Sequence, residues 1–210
     1  MKIVFFGDSI TDAGRVREDS LYNSYLNFGC GYVAQVGGAL LYENPAKYEI
    51  KNRGISGNKI ADLYARIKRD VWALEPDVVS ILVGVNDVWH DDGSSEERYK
   101  KIYKAIIEET KQNLPNAKIM LVEPFILDGE VVLNDYERFS KVYNYAKIVK
   151  EVAKEYNLPL VLLQQELLNQ SSKFEPKLFA YDGVHPTIAG ASIIAKEWLK
   201  VFKKEIDKEN

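Results

Sequence analysis

Three side chains of the types used in acyl transfer lie in two widely separated segments of the sequence: Ser9 near the start, and Asp182 and His185 near the end. A carboxylate three residues before a histidine, in a loop that turns at Gly183, can accept a hydrogen bond from the histidine Nδ1–H. This bond leaves Nε2 free to act as a general base. Pro186 biases His185 towards extended backbone, so we expect the imidazole ahead of a helix. The alternative interpretation is a surface histidine on a polar loop.

Ser9 is the matching candidate nucleophile, because it follows an apolar run that ends at the hinge residue Gly7. At the start of a helix, backbone N–H groups stabilise the oxyanion that forms when a hydroxyl attacks a carbonyl. The alternative is that Ser9 only caps this helix, since Asp8, Ser9 and Thr11 are all capping types. The two roles are compatible with each other.

Two further residues are candidate donors to such an oxyanion. Gly54 can present a backbone N–H because it has no side chain to block a ligand, and Asn86 can present its side-chain amide. Taken singly, a turn glycine and an asparagine that bonds its own backbone are the competing interpretations. We expect Asp87 to hold the geometry of its loop rather than to take part in chemistry.

The hydrophobic pattern predicts the elements that must position these residues. Most of the strand-like runs are almost continuously apolar, as strands buried on both faces of a parallel sheet must be. These runs cover residues 2–6, 48–52, 78–83, 118–122 and 159–163. The helical stripes between them cover residues 60–71, 99–107, 142–156 and 188–202. Ser94 and Glu97 predict a capping box at the start of the second stripe.

Alternation of strands and helices predicts right-handed βαβ crossovers. We therefore expect an α/β fold: a three-layer α/β/α sandwich around a five-stranded parallel, flavodoxin-like sheet, in a single domain that spans residues 1–210. In such a sheet, ligands bind beyond the carboxyl ends of the strands, beside the first strand. Ser9, Gly54 and Asn86 each follow a predicted strand, and the loop with His185 precedes the last helix. The fold would therefore bring them to one edge of the sheet.

Composition excludes several classes of protein. The 210 residues contain 28 Lys and Arg against 31 Asp and Glu, a net charge of −3, which argues against a nucleic-acid partner. No apolar run reaches the roughly 18 residues of a membrane span, and the first apolar run is too short for a signal peptide. We expect a cytoplasmic protein with no membrane partner.

A metal or redox site is also not expected from the sequence. Cys30 is the single cysteine, so it cannot form an intramolecular disulfide or a cysteine-based zinc site. It has no basic neighbour in sequence that would activate the thiol, and we expect it to be inert. His90, Asp91 and Asp92 are adjacent on a polar loop, and adjacent residues rarely converge on one ion. We therefore expect no metal and no cofactor.

Taken together, the polar segments resemble the four signature blocks of the SGNH (GDSL-type) hydrolases, in the order of that family and across residues 7–186. The matching segments are Gly7-Asp8-Ser9-Ile10-Thr11, Gly54, Gly84-x-Asn86-Asp87 and Asp182-x-x-His185-Pro186. The resemblance implies the SGNH hydrolase fold, with Ser9 as nucleophile, His185 as base and Asp182 as the residue that orients it. It also implies an oxyanion hole formed by the Ser9 N–H, the Gly54 N–H and Asn86.

Finer features resemble the bacterial acetylxylan esterases of that superfamily. They are Asp12-Ala13-Gly14-Arg15, Gly29-x-Gly31-Tyr32-Val33, Asn52-x-Gly54-Ile55-Ser56-Gly57-Asn58 and Asn86-Asp87-Val88-Trp89. This resemblance implies a serine esterase that removes acetyl groups from xylo-oligosaccharides or related carbohydrates through an acyl-enzyme. The implied partners are a small-molecule ester or an acetylated oligosaccharide, and such esterases can form homo-oligomers.

The residues leave three alternative functions open. A thioesterase or lysophospholipase of the same superfamily would hold its acyl chain in a longer apolar groove. A carbohydrate-binding protein would keep the fold without turnover, although it would not need the complete set of Ser, Gly, Asn, Asp and His. A flavodoxin-like signalling domain would explain the sheet but not the loop with His185.

Substrate contacts are expected from Asp8, Arg53 and Trp89. Trp89 directly follows the third block, and it is either a platform on which a sugar stacks or an anchor for its loop. Arg53 either lines the pocket or pairs with a nearby carboxylate. Trp72 and Trp198 lie within helical patterns, so we expect both in the core.

Overall fold

A central parallel sheet organises the chain. The computed structural model describes residues 1–18 and 22–208, and within them the sheet has five strands. The strands are β1 (Lys2–Gly7), β2 (Glu49–Gly54), β3 (Val78–Leu82), β4 (Lys118–Val122) and β5 (Leu160–Val161). They lie close to the predicted runs. Residues 209 and 210 of the predicted domain lie outside the described residues.

The order of the strands places three loops side by side. It is β2-β1-β3-β4-β5, the predicted flavodoxin-like order. Gly7 at the end of β1 pairs with Gly54 of β2 and with Leu82 of β3. Because this register sets the carboxyl ends of the three strands at one level, the loops that follow them meet beside β1.

Helices cover both faces of the sheet, as right-handed crossovers require. They are α1 (Ser9–Asp12), α2 (Tyr25–Phe28), α3 (Tyr32–Glu43), α4 (Ile60–Asp70), α5 (Val85–Trp89), α6 (Glu96–Asn113), α7 (Glu130–Asn134), α8 (Tyr136–Phe139), α9 (Val142–Glu155), α10 (Gln164–Ser171) and α11 (Ile188–Glu205). α3 and α11 pack together in one layer, and α6 packs against α4 and α9 in the other. The predicted three-layer α/β/α fold is therefore confirmed.

The predicted start of α6 is wrong by one residue. The cap is Ser95, whose Oγ accepts a hydrogen bond from the Arg98 N–H at 3.4 Å. Ser94 is buried instead, and its N–H donates to Asp87 Oδ1 at 3.2 Å. The other oxygen of Asp87 accepts from the Ile60 N–H at 3.0 Å. Asp87 thus ties the loop after β3 to the starts of α4 and α6, as expected of a residue that holds loop geometry.

A buried aromatic cluster fixes the last helix on the sheet. Trp198 of α11 is fully buried and stacks on Phe202, with 4.8 Å between the ring centroids. Its Nε1–H donates to Ser80 Oγ of β3 at 2.9 Å, so the buried indole has a polar partner. Trp72 is only partly buried, and it donates to Thr110 Oγ1 at 3.1 Å. Since α11 is held on the sheet, the loop that precedes it has a fixed position.

Candidate active site

Ser9 stands directly beyond the end of β1, as the first residue of α1. A Cβ at Gly7 would lie 2.3 Å from Thr11 Oγ1 and 2.5 Å from the Leu82 carbonyl oxygen, so only glycine fits where β1 turns into α1. Asp8 caps the helix, because its Oδ1 accepts from the Ile10 N–H at 3.0 Å. Ser9 does not supply this cap, and its hydroxyl is left for another partner.

That partner is His185, which is 176 residues away in sequence. Ser9 Oγ lies 2.9 Å from His185 Nε2, and His185 Nδ1 lies 2.6 Å from Asp182 Oδ2. With Nδ1–H donating to the carboxylate, Nε2 is the acceptor for the serine hydroxyl. The arrangement can therefore pass the serine proton to an imidazole that a carboxylate orients.

The loop that carries Asp182 and His185 is held in shape by hydrogen bonds between residues close in sequence. Asp182 Oδ1 accepts from the Val184 N–H at 2.9 Å and from the His185 N–H at 2.7 Å, which closes a turn around the carboxylate. Gly183 has φ +96°, a left-handed conformation that side chains disfavour. The Tyr181 N–H donates to the His185 carbonyl at 3.1 Å. The loop is thus folded before any ligand arrives.

The same bonds set the protonation of the pair. The hydrogen bond to Asp182 raises the pKa of His185 above its ordinary value, against the opposing effect of burial. Burial alone would raise the pKa of Asp182, but the hydrogen bonds from His185 and Val184 outweigh it and lower that pKa. Asp182 therefore stays ionised over the neutral range of pH and stabilises an imidazolium beside it.

The expected role of Gly54 as an oxyanion donor does not fit the structure. Its N–H already donates to Asn52 Oδ1 at 2.9 Å. A Cβ at Gly54 would lie 2.1 Å from the Asp12 nitrogen, so this glycine serves the close packing of β2 against α1. Asn52 Nδ2 in turn donates to the Thr11 carbonyl at 2.6 Å. The Gly54 N–H is therefore already used inside the fold and is not free to bind an oxyanion.

Gly57, the next glycine along the loop, has a free N–H within the described part of the chain, whereas Gly54 does not. The loop 55–58 is held beside Ser9, because the Ile55 N–H donates to the Gly7 carbonyl at 3.0 Å. Its last carbonyl, that of Asn58, accepts from Asn86 Nδ2 at 3.1 Å. Gly57 is exposed with φ +80°, nothing lies within 4 Å of the position of a Cβ, and its N–H has no partner among the described residues. The turn residues Ser56-Gly57 were the signal in sequence for this conformation.

Asp8 is 1% exposed, which does not fit its expected contact with substrate. Its second oxygen, Oδ2, is buried without a hydrogen-bond partner among the described residues. Burial raises the pKa of Asp8 to about 7, a rise to which the charge of Asp87 adds and which the Ile10 N–H and His185 oppose. The carboxyl beside Ser9 therefore has its pKa close to neutral pH.

Of the other two expected substrate contacts, Trp89 lies next to His185 and Arg53 lines a different cavity. The ring of Trp89 is 5.7 Å from that of His185, but it is half-buried and packs edge-on against Phe139 at 5.2 Å. Arg53 lines a separate cavity of about 340 Å³ together with Arg15. The structure thus brings Trp89 next to His185 and places Arg53 at a different cavity, and a contact of either with substrate stays a prediction.

A cavity of about 350 Å³ opens beside Ser9 and His185. Its lining includes Ser56, Cys30 and the exposed ring of Tyr181. A larger cavity of about 680 Å³ lies beside Lys118, at the amino ends of the strands and away from these groups. Sequence reasoning missed Tyr181, whose only signal was its position next to Asp182.

The loop that follows Trp89 is held by ion pairs. Asp91 pairs with Arg138, and Asp92 Oδ2 lies 2.9 Å from Lys59 Nζ.

Among residues 1–18 and 22–208, no three His, Cys, Asp or Glu side chains converge as metal ligands would. In the same part of the chain, none of the helices combines the length and the apolar character that a bilayer crossing requires.

Comparison with known proteins gives relatives along almost the whole chain. The model of the GDSL-like Lipase/Acylhydrolase family matches residues 5–193. An acetylxylan esterase from Geobacillus stearothermophilus is 37% identical over 207 residues, which cover 95% of this chain and 92% of that protein. A second acetylxylan esterase, from Xylanibacter ruminicola, is 25% identical over 93% of this chain and 42% of its own length.

Solved structures agree in fold. The crystal structure of the Geobacillus acetylxylan esterase Axe2 superposes with a TM-score of 0.83, at 36% identity and with 95% of this chain and 93% of that chain covered. A GDSL-like lipase from Parabacteroides merdae superposes with a TM-score of 0.90, at 36% identity over 95% and 94% of the two chains. Structures of Axe2 catalytic mutants carry alanine in place of a serine, an aspartate or a histidine.

Proposed function

This chain belongs to the GDSL-like lipase/acylhydrolase family, and we propose that it is a serine esterase that removes acetyl groups from xylo-oligosaccharides or related carbohydrates. The observation that carries the proposal is the 2.9 Å contact between Ser9 Oγ and His185 Nε2 beside an open cavity. The acetylxylan esterases among its relatives support the choice of acetyl group and sugar. A carbohydrate-binding protein would need no hydroxyl bonded to an imidazole that a carboxylate orients.

Acylation begins when Ser9 Oγ attacks the acetyl carbonyl carbon. The serine proton passes to His185 Nε2, and the carbonyl oxygen becomes the oxyanion of a tetrahedral intermediate. Asp182 keeps its negative charge and stabilises the imidazolium, since it already binds Nδ1–H at 2.6 Å. The C–O bond to the sugar then breaks, and His185 returns the proton to the departing sugar oxygen.

Deacylation repeats the same path with water. A water molecule attacks the acetyl-Ser9 carbonyl and gives its proton to His185 Nε2. The second tetrahedral intermediate collapses, Ser9 Oγ takes back a proton from the imidazolium, and acetic acid leaves and ionises to acetate in water. Splitting one hydrolysis into two easier steps is the general advantage of a covalent nucleophile.

The oxyanion is held by the Ser9 N–H, the Asn86 amide and, in place of Gly54, the Gly57 N–H. We expect Asn86→Ala to lower kcat by about 10² to 10³-fold, the usual effect of removing one such donor. Steady-state kinetics with p-nitrophenyl acetate measures this loss. A kcat within a few-fold of wild type would exclude Asn86 from the oxyanion hole.

A phosphonate adduct on Ser9 distinguishes Gly57 from Gly54. In its crystal structure, we expect the phosphonyl oxygen about 2.7–3.1 Å from the Gly57 nitrogen and from Asn86 Nδ2. An oxygen at this distance from the Gly54 nitrogen, with the Asn52 bond broken, would restore the assignment made from sequence.

The acyl-chain series tests the acetyl preference. We expect kcat/KM to be highest for the acetyl ester of p-nitrophenol and to fall for the butyryl and octanoyl esters. A long apolar groove would instead add about 0.8 kcal/mol, nearly fourfold in affinity, for each buried CH₂. A steady rise from acetyl to octanoyl would therefore favour the thioesterase or lysophospholipase alternative.

The pH profile follows from the state of the base. His185 must be neutral to accept the serine proton, and its pKa is raised by Asp182 and by the charge of Asp8. We therefore expect kcat/KM for p-nitrophenyl acetate to be lost as pH falls through a value above 6.5, the ordinary pKa of histidine. Initial rates from pH 5 to about 9, corrected for uncatalysed hydrolysis, measure this limb.

Asp8→Asn is the control for the second group that titrates in this range. The amide can still accept the Ile10 N–H, so the cap of α1 is kept while the charge is removed. Because the Asp8 charge raises the pKa of His185, we expect the acid limb of the variant at a lower pH. A limb that moves to higher pH would contradict this coupling.

A further inference from the structure

We propose that Tyr181 is the residue that binds the sugar carrying the acetyl group, as a platform on which a pyranose ring stacks. This inference rests on the proposed function, because it assigns the alcohol side of the same site. From the sequence alone, Trp89 is either such a platform or an anchor for its loop.

The first argument is the position of the ring. The rings of Tyr181 and His185 are nearly parallel, at 15°, with 5.8 Å between their centroids. Tyr181 also lines the cavity that contains Ser9 and His185. When His185 Nε2 returns its proton, the sugar oxygen must lie within hydrogen-bond reach of Nε2. The pyranose that carries this oxygen is therefore held next to the imidazole, on the surface where the phenol ring lies.

The second argument is exposure. Tyr181 is 62% exposed, so a large area of its ring is available to a ligand. Trp89 is half-buried, packs edge-on against Phe139 and does not line this cavity. Arg138 also holds the Trp89 carbonyl at 3.3 Å. These contacts are those of a residue that anchors its loop.

The third argument is preorganisation. Tyr181 belongs to the loop that carries Asp182 and His185, and its N–H donates to the His185 carbonyl. Ala180 and Pro186 form a β-bridge that closes the base of this loop. A ring whose backbone is already held loses little conformational entropy when a ligand stacks on it.

The chemistry of the ring selects the class of ligand. A pyranose has an apolar C–H face, which can cover the phenol ring, and hydroxyl groups at its edge, which suit the neutral hydroxyl of tyrosine. A xylopyranose unit of an acetylated oligosaccharide meets both requirements. The alcohol of a simple ester such as ethyl acetate has no ring and gains nothing from the platform.

The test compares Tyr181→Ala and Tyr181→Phe on acetylated xylobiose and on ethyl acetate, with acid release followed in a pH-stat. For Tyr181→Ala, we expect kcat/KM to fall about tenfold on acetylated xylobiose, as loss of a modest apolar contact predicts, and to stay within twofold on ethyl acetate. Tyr181→Phe keeps the ring and should stay close to wild type on both substrates. The matched control is Tyr42→Ala, which removes a 92% exposed tyrosine near the far end of α3 and should change neither rate.

The possible outcomes distinguish sugar binding by Tyr181 from the other roles that this residue could have. Equal losses on both substrates would overturn the proposal and show that Tyr181 only supports His185. No loss on either substrate would also overturn it. A change in oligomeric mass by light scattering, with no selective loss on the sugar, would make Tyr181 a subunit contact instead. If wild type hydrolyses ethyl acetate but not acetylated xylobiose, the proposed sugar substrate fails; if it hydrolyses neither, the esterase itself fails.

Discussion

Ser9→Ala should abolish turnover, with a fall in kcat on the order of 10⁶-fold on p-nitrophenyl acetate. The variant removes the hydroxyl that is proposed to form the acyl-enzyme, whereas the proposed oxyanion donors and the cavity remain. Loss of a nucleophile of this kind leaves only the catalysis that binding and oxyanion stabilisation supply. Initial rates at high enzyme concentration measure the residual activity.

The fold should tolerate this substitution. Asp8 rather than Ser9 caps α1, so the variant loses one hydrogen bond to His185 and no cap. Such a bond contributes about 0.5–1.5 kcal/mol to stability, and thermal unfolding should show a small shift in melting temperature.

In wild type, an organophosphonate should label Ser9 stoichiometrically. A label on any other residue, identified by mass spectrometry of the peptides, would show that the nucleophile is wrongly assigned.

His185→Ala should cause a loss of similar size, because nucleophile and base act as one unit and removal of either costs nearly the whole effect. The chain has two histidines, so the assignment of the base can be tested exhaustively. His90 is exposed, and its ring stacks on Trp89 with 6.5 Å between the centroids. We expect His90→Ala to keep most of the wild-type kcat.

One combination of results for these two variants would contradict the assignment of His185 as the base. An inactive His90→Ala protein together with an active His185→Ala protein would reverse the assignment. It would also remove the role proposed for Asp182, which binds the backbone and the ring of His185. Circular dichroism of both variants should match wild type, since neither ring belongs to the core.

Periodicity was sufficient to predict the fold, because a parallel sheet buried on both faces demands continuous apolar strands. The layers of helices on both faces of the sheet followed from the right-handed crossover. The loop of Asp182 and His185 could also be predicted, since the contacts that shape it are local. The Asp182 carboxylate accepts hydrogen bonds from the N–H groups of Val184 and His185, which are two and three residues further along the chain. Local hydrogen bonds of this kind are a property of sequence spacing.

Contacts between distant segments could not be predicted in the same way. Asn52 Nδ2 donates to the carbonyls of Thr11 and Phe28, which are remote in sequence. With its side chain held in this way, Asn52 Oδ1 accepts the Gly54 N–H, so the open N–H in this loop is that of Gly57. Both glycines belong to one segment of turn-forming residues. Which of them keeps an open N–H depends on these remote contacts and on the close approach of α1 to Gly54.

What the sequence by itself determined was the fold class and the set of residue types available for acyl transfer, because both depend on spacing along the chain. Only the tertiary structure decided which groups are buried, which are already bonded and which face the cavity. Asp8 is sealed off beside Ser9, Trp89 packs on Phe139, and Tyr181 is exposed beside His185. These differences arise because exposure and hydrogen-bond capacity are set by neighbours that are remote in sequence and meet only when the sheet and its helices pack.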